Sequence, residues 1–110
     1  MGRCPQAVVG IGVTWQVTVR KAAETDLLEA ARWYDMQSKG LGTEFLRAIE
    51  GCIAAISRNP RQYPILYRGV RRSLARKFPF GIFYIVAKDT VIILACLHCK
   101  RNPAIIRKRS

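Results

Sequence analysis

The chain has 110 residues, half of them hydrophobic, with 19 Lys+Arg against 7 Asp+Glu and a formal net charge of +12. That length and apolar content build one core and not two. The longest apolar runs, Phe78 to Ala87 and Val91 to Leu97, fall well short of the roughly 20 residues that span a bilayer, so no membrane segment is expected.

The charge is unevenly placed. Six of the seven acids precede Tyr67, whereas from Arg68 onward eleven bases face Asp89 alone. A field that lopsided points to a polyanion or an acidic protein as partner. The N-terminal MGRCPQAVVGIGV has an arginine and a short apolar run, but Gly10 and Gly12 interrupt it and secretion is not expected. Cys52 and Cys96 lie inside apolar patterns where reduced cysteine is an ordinary small core residue. Together these features suggest a reducing, cytoplasmic setting.

TWQVTV (Thr14 to Val19) alternates as a half-buried strand does. From Ala22 to Ser38 the period changes: Leu27, Ala31 and Tyr34 recur at helical spacing, with Glu24, Asp26 and Glu29 placed early, where the helix dipole favours acids. KGLG stops this helix, and Thr43 is a candidate cap for a second one carrying Phe45, Ile49, Cys52, Ile53 and Ile56 as one stripe. RNP (Arg58 to Pro60) ends it, because the residue before proline resists the helical region. Two amphipathic helices joined by a short glycine turn lie antiparallel.

After RQYP the pattern is that of strands. ILYRGV contains Arg68-Gly69 as a tight turn, and RRSLARKF, FGIFYIVA and TVIILACLH follow, the last two linked by Lys88-Asp89. The expected fold is α+β: an N-terminal strand, an antiparallel helix hairpin, then a three- to four-stranded antiparallel sheet with one face under the helices. Residues 13–110 form this single domain, and residues 1–12 are a loosely held extension. Phe78, Phe80, Ile82 and Ile85 are candidate core residues, and Tyr84 is core or a support for the basic face.

WYDMQSKGLGTEFL, NPRQYP, VRRSLARKFPFGIFYIV and ILACLHCKRNPAIIRKR occur in that order, and together they resemble the RelE/ParE family of toxins from type II toxin–antitoxin modules. The resemblance covers about Trp15 to Arg109 and implies two helices packed on a small antiparallel sheet. It also implies a growth-inhibiting, plasmid-stabilising protein neutralised by a cognate antitoxin encoded adjacently. Members act in two main ways, by cleaving messenger RNA on the translating ribosome or by poisoning DNA gyrase. The ribonuclease branch needs cations to stabilise negative charge on phosphate and a group to move the proton of the attacking 2′-hydroxyl. Arg72, Arg76 and Arg101 stand where such nucleases carry bases. Leu74 and Gly81 stand where a lysine and an arginine would be expected, and Ile105 and Ile106 replace a terminal aromatic. The sequence is therefore more similar to the ParE-like, gyrase-directed side. A ribosome-dependent endoribonuclease using Arg72, Arg76, His98 and Arg101, and a non-toxic basic binding module, remain the alternatives.

The expected target-binding residues are Arg71, Arg72, Arg76, Lys77, Lys100 and Arg101. Strand alternation splits them: Arg72, Leu74 and Arg76 share one face, while Arg71, Ser73, Ala75 and Lys77 share the other. A strand buried on one side cannot take both sets into its core, so one set must reach a rim. The expected antitoxin contacts are Trp33, Tyr34, Arg72 and Arg76. Since Trp33 and Tyr34 are adjacent on a helix, one of them faces off the core seam. His98, the single histidine, is either an acid–base group or a half-buried strand residue. In CLHC, Cys96 and His98 face one way and Cys99 the other, so zinc ligation is not expected. No cofactor is implied.

Overall fold

The computed structural model describes residues 15–75 and 77–99; the expected extension at residues 1–12, together with Arg76, Lys100 and Arg101, lies outside them. The chain runs β1 (Gln16–Val19), α1 (Lys21–Gln37), α2 (Leu41–Arg58), a single 3-10 turn (Pro60–Gln62), β2 (Ile65–Tyr67), β3 (Val70–Leu74), β4 (Phe80–Ala87) and β5 (Thr90–His98). The strands form one five-stranded sheet in the order β1-β5-β4-β3-β2. Strands β2 to β5 are antiparallel neighbours, as expected, but β1 pairs parallel to β5, with Gln16 opposite Thr90 and Val19 opposite Ile93. The sheet is therefore mixed, the N-terminal strand closing one edge instead of standing apart. Among the described residues no helix is long and apolar enough to cross a membrane.

Both two-residue hairpin turns use positive φ. Arg68 and Gly69 have φ of 42° and 81°, and Lys88 has φ of 55°, the left-handed geometry that matches the twist of two-residue hairpins. The helix hairpin closes differently from the sequence expectation. Gly40, in the left-handed region at φ 87°, precedes α2, so Thr43 lies inside the first turn. The amide of the buried Gly42 donates instead to Asp35 Oδ1 of α1 at 2.7 Å, one helix capping the other.

The helices cover one sheet face. Their stripe (Ala23, Ala31, Tyr34, Phe45, Ile49 and Ile56) packs on Phe78, Phe80, Ile82, Tyr84, Val91, Ile93 and Cys96. Tyr34, Phe45, Phe78 and Phe80 form the aromatic centre, with centroids 4.9–6.1 Å apart. The ladder shifts between Phe83 and Tyr84, which oppose Ala95 and Ile93, so Leu94 is an extra residue in β5. This bulge keeps both Ile93 and Cys96 on the helix side. The other sheet face carries a second buried cluster of Val70, Leu94, Ala95 and Leu97, against which the half-buried Ile85 packs. Ile85 thus belongs to this cluster, unlike Phe78, Phe80 and Ile82 beneath the helices.

Candidate functional site

The basic strand divides as alternation requires. Arg71 and Ser73 oppose Tyr84 and Ile82, whereas Arg72 and Leu74 oppose Phe83 and Gly81. Since Tyr84 and Ile82 belong to the core under the helices, Arg71 starts toward that core and has to leave it. Its Nη1 donates to the carbonyls of Arg61, at 3.0 Å, and Tyr63, at 2.6 Å. These belong to the connection that leads from α2 to β2. Tyr84 secures the same connection, its hydroxyl donating to Pro60 O at 2.5 Å, and burial pushes its pKa up to about 12 against an opposing effect of Arg71. Arg71 is thus a tie between sheet and helix end, while Tyr84 is core and supports the strand from beneath.

Arg72 is held differently. Its amide donates to Pro64 O at 3.3 Å, and its stem crosses the face of Gly81. A Cβ on Gly81 would stand 3.2 Å from Arg72 Cδ and 3.3 Å from Cγ. Its guanidinium has no hydrogen-bond or ion-pair partner among the described residues. A half-buried stem with an uncommitted head is the arrangement expected of a cation that meets a ligand.

Arg72 also lines an open groove of about 850 Å³ between α2 and β3. One wall is the small-residue stripe Ala48, Gly51, Cys52 and Ala55 of α2; Tyr63, Pro64, Ser73 and Leu74 form the other side. Beyond Pro64 no strand lies beside β3 among the described residues, so the edge at Leu74 borders the groove. Arg47 and Lys77 bring positive charge to it and Glu44 one negative charge, while Arg72 meets it at the β3 edge, its stem lying over Gly81 on the far side of the sheet. The groove can hold an anionic or extended acidic segment on an apolar floor.

His98 stands elsewhere. It opposes Phe80 across the β4–β5 ladder, and the two rings meet edge to face at 5.4 Å. Phe80 belongs to the helix-side core, so His98 and Arg72 project from opposite faces of the sheet. Cys96 is buried and its thiol is pushed up to about 12, chiefly by burial and then by Asp26 and Cys52. Cys99 is exposed, its amide bonded to Pro79 O at 2.7 Å.

Of the adjacent aromatics on α1, Trp33 is the outward one, 56% exposed, whereas Tyr34 is 9% exposed and packed on Phe45 and Phe78. Tyr34 therefore offers a partner little surface of its own. Sequence reasoning missed Asp26, whose Oδ2 accepts the Cys96 amide at 3.1 Å. Strand β1 pairs with β5 only as far as Ile93, and Asp26 satisfies an amide beyond that point. Its position near the start of α1 signals only a dipole-favoured acid.

Residues 17–103 match the family model described as ParE toxin of type II toxin–antitoxin system, parDE. No curated protein matches the sequence significantly. The fold is similar to a chain of the chromosomal ParDE system from P. aeruginosa, with a TM-score of 0.71 at 16% identity over 79% of this chain and 98% of that one. It is also similar to a chain of the RelBE2 toxin–antitoxin complex from Mycobacterium tuberculosis, with a TM-score of 0.56 at 23% identity over 78% of this chain and 92% of that one. With the family model spanning most of the chain and the fold agreeing, the protein belongs to the ParE toxins of type II toxin–antitoxin systems.

Proposed function

We propose that this ParE-type toxin arrests growth by poisoning DNA gyrase and is neutralised by a cognate antitoxin that occupies the cationic groove between α2 and β3. The observation that carries the mechanism is the separation of Arg72 from His98 onto opposite sheet faces. Hydrolytic or transesterifying cleavage of RNA needs a cation and a proton-transfer group on the same phosphate, and these two residues do not converge. Leu74 and Gly81, which replace the cations expected of a nuclease, leave the face around Arg72 suited to binding and poorly equipped for cleavage. Lys77 and Arg72 act here as target contacts, with Trp33 and Arg72 as antitoxin contacts. The antitoxin reading is supported by the similarity to proteins from a ParDE system and a RelBE2 complex, together with the +12 charge.

The test is induction of the gene alone in a heterologous bacterium, followed by assays with purified protein. Growth arrest with inhibited supercoiling or DNA trapped on gyrase, before translation stops, is the expected result. Prompt codon-specific mRNA cleavage on the ribosome, with normal gyrase activity at the same protein concentration, would overturn it in favour of the ribonuclease reading. Unaffected growth at good expression would favour the plain binding module.

A further inference from the structure

A second groove, of about 530 Å³, lies on the other flank of the molecule, between α1 and the ends of β4 and β5. We infer that it is a receptor for an arginine side chain presented by a partner protein. Asp26, Glu29, Ala30 and Trp33 line it from α1, and their spacing of three, one and three residues places them on a single helix face. Tyr34 and Phe80, both buried, form its inner side, and His98 borders it from β5.

The described residues that line this groove carry a charge opposite to that of the chain. In a protein with 19 Lys+Arg and 7 Asp+Glu, the described residues lining it include two carboxylates and no lysine or arginine. The Asp26 carboxylate is held in place by the Cys96 amide, which fixes a negative charge against the sheet. Glu29 is exposed and has no hydrogen-bond or ion-pair partner among the described residues. Four residues along the same face, Trp33 is more than half exposed, with its ring set edge-on to Tyr34 at 5.1 Å. The chain's other tryptophan, Trp15, already carries the Arg61 guanidinium 5.5 Å from its ring centroid. Trp33 has no such cation over it among the described residues.

An unpaired carboxylate beside an open indole meets the two requirements of a guanidinium, which accepts stacking on its plane while donating two parallel hydrogen bonds from its edge. A lysine ammonium satisfies the charge but lacks the plane, and an anionic ligand is repelled by both acids. An arginine anchored on a tryptophan is also the kind of contact that dominates protein interfaces. The inference shares Trp33 with the antitoxin contact proposed above but concerns a different groove from the cationic one, and a binding measurement tests it without reference to growth.

The experiment follows the Trp33 indole N–H by NMR in the full chain, assigned with Trp15→Phe, during titration with N-acetyl-arginine amide. N-acetyl-lysine amide and N-acetyl-norleucine amide are the controls. The expected result is a saturable shift that is strongest for the arginine probe, weaker for lysine and absent for norleucine, with affinity reduced about fivefold or more in Glu29→Gln. Equal response to norleucine, no saturation, or an unchanged titration in Glu29→Gln would overturn the assignment. A shift that depends on protein concentration alone would give the groove to a second copy of this chain and equally overturn it.

Discussion

Arg72 reaches its position across Gly81, with its Cδ 3.2 Å from the point where a Gly81 Cβ would stand. The glycine that looks in sequence like a missing arginine is the space that the neighbouring strand's arginine occupies. Any side chain at position 81 must push against the Arg72 stem, and Phe83 Cε1 at 3.3 Å blocks another direction. Gly81→Val keeps a good strand former in β4 yet displaces Arg72. The expected outcome is toxicity reduced to the level of Arg72→Ala with the melting temperature lowered by only a few degrees. Full toxicity in the valine variant would show that the position of Arg72 does not matter.

Adjacent arginines should give opposite phenotypes. Arg71→Ala leaves the Arg61 and Tyr63 carbonyls without their donor and is expected to cost about 1–3 kcal/mol in urea unfolding. The Arg72→Ala/Lys77→Ala double variant removes exposed or uncommitted charge and should change stability by about 0.5 kcal/mol or less while abolishing growth arrest. If the double variant unfolds, these two cations are structural and the binding surface lies elsewhere.

The helix hairpin has its own weak point. Gly42 sits so close to α1 that a Cβ would run into the Ala31 carbonyl oxygen and come within 2.8 Å of Asp35 Cγ. Gly42→Ala should therefore destabilise the fold by about 1–3 kcal/mol, although alanine is ordinarily the better helix former. Asp35→Ala, which removes the acceptor of the Gly42 amide, should cost about 1 kcal/mol. Denaturant midpoints measure both, and a stabilised alanine variant at position 42 would contradict the close approach.

Alkaline pH should unfold the protein from the inside. The Cys96 thiol and the Tyr84 phenol both have folded pKa values pushed up to about 12, from ordinary values of 9.0 and 10.0, because burial disfavours their anions. Each holds its proton in the folded state after the unfolded chain has begun to release it. The stability they contribute is complete below about pH 9 and is lost as pH rises toward 12. Urea midpoints should fall across that window, and Cys96→Ala should flatten the decline. By the same burial, alkylation at pH 8 followed by peptide mapping should label Cys99 and spare Cys96 until the chain is denatured.

Much of this architecture is legible in the sequence because its signals are local. The runs FGIFYIVA and TVIILACLH are bounded by turns and rich in β-branched residues, and they coincide with β4 and β5. The two-residue period of a strand likewise separates Arg71 from Arg72 by residue order alone. What the sequence hides is set across space. Four alternating residues identify β1 as a strand but do not say that β5 will be its parallel neighbour. Thr43 has the chemistry of a helix cap, yet the cap comes from Asp35 on the preceding helix. Asp26 reads as a dipole-favoured acid and turns out to satisfy an amide 70 residues away. His98 and Arg72 are candidates for one catalytic set by residue type, and only the register shows that they start from opposite faces of the sheet.

The final prediction concerns how the antitoxin finds its toxin. The groove between α2 and β3 carries Arg47, Arg72 and Lys77 around an apolar floor of Ala48, Gly51, Cys52 and Ala55, so attraction and adhesion come from different atoms. Opposite fields accelerate encounter and salt screens them, whereas apolar contacts formed after docking govern dissociation. Stopped-flow or surface-based kinetics with the cognate antitoxin should therefore show an association rate that falls roughly tenfold or more from low to high salt. The dissociation rate should change little. Replacing Arg72 and Lys77 with alanine should flatten the salt dependence of association, while Ala48→Glu on the floor should speed dissociation by placing a charge where an apolar segment docks. Salt-independent association in the wild-type protein would mean that the cations do not steer the antitoxin and that its recognition rests on the apolar floor alone.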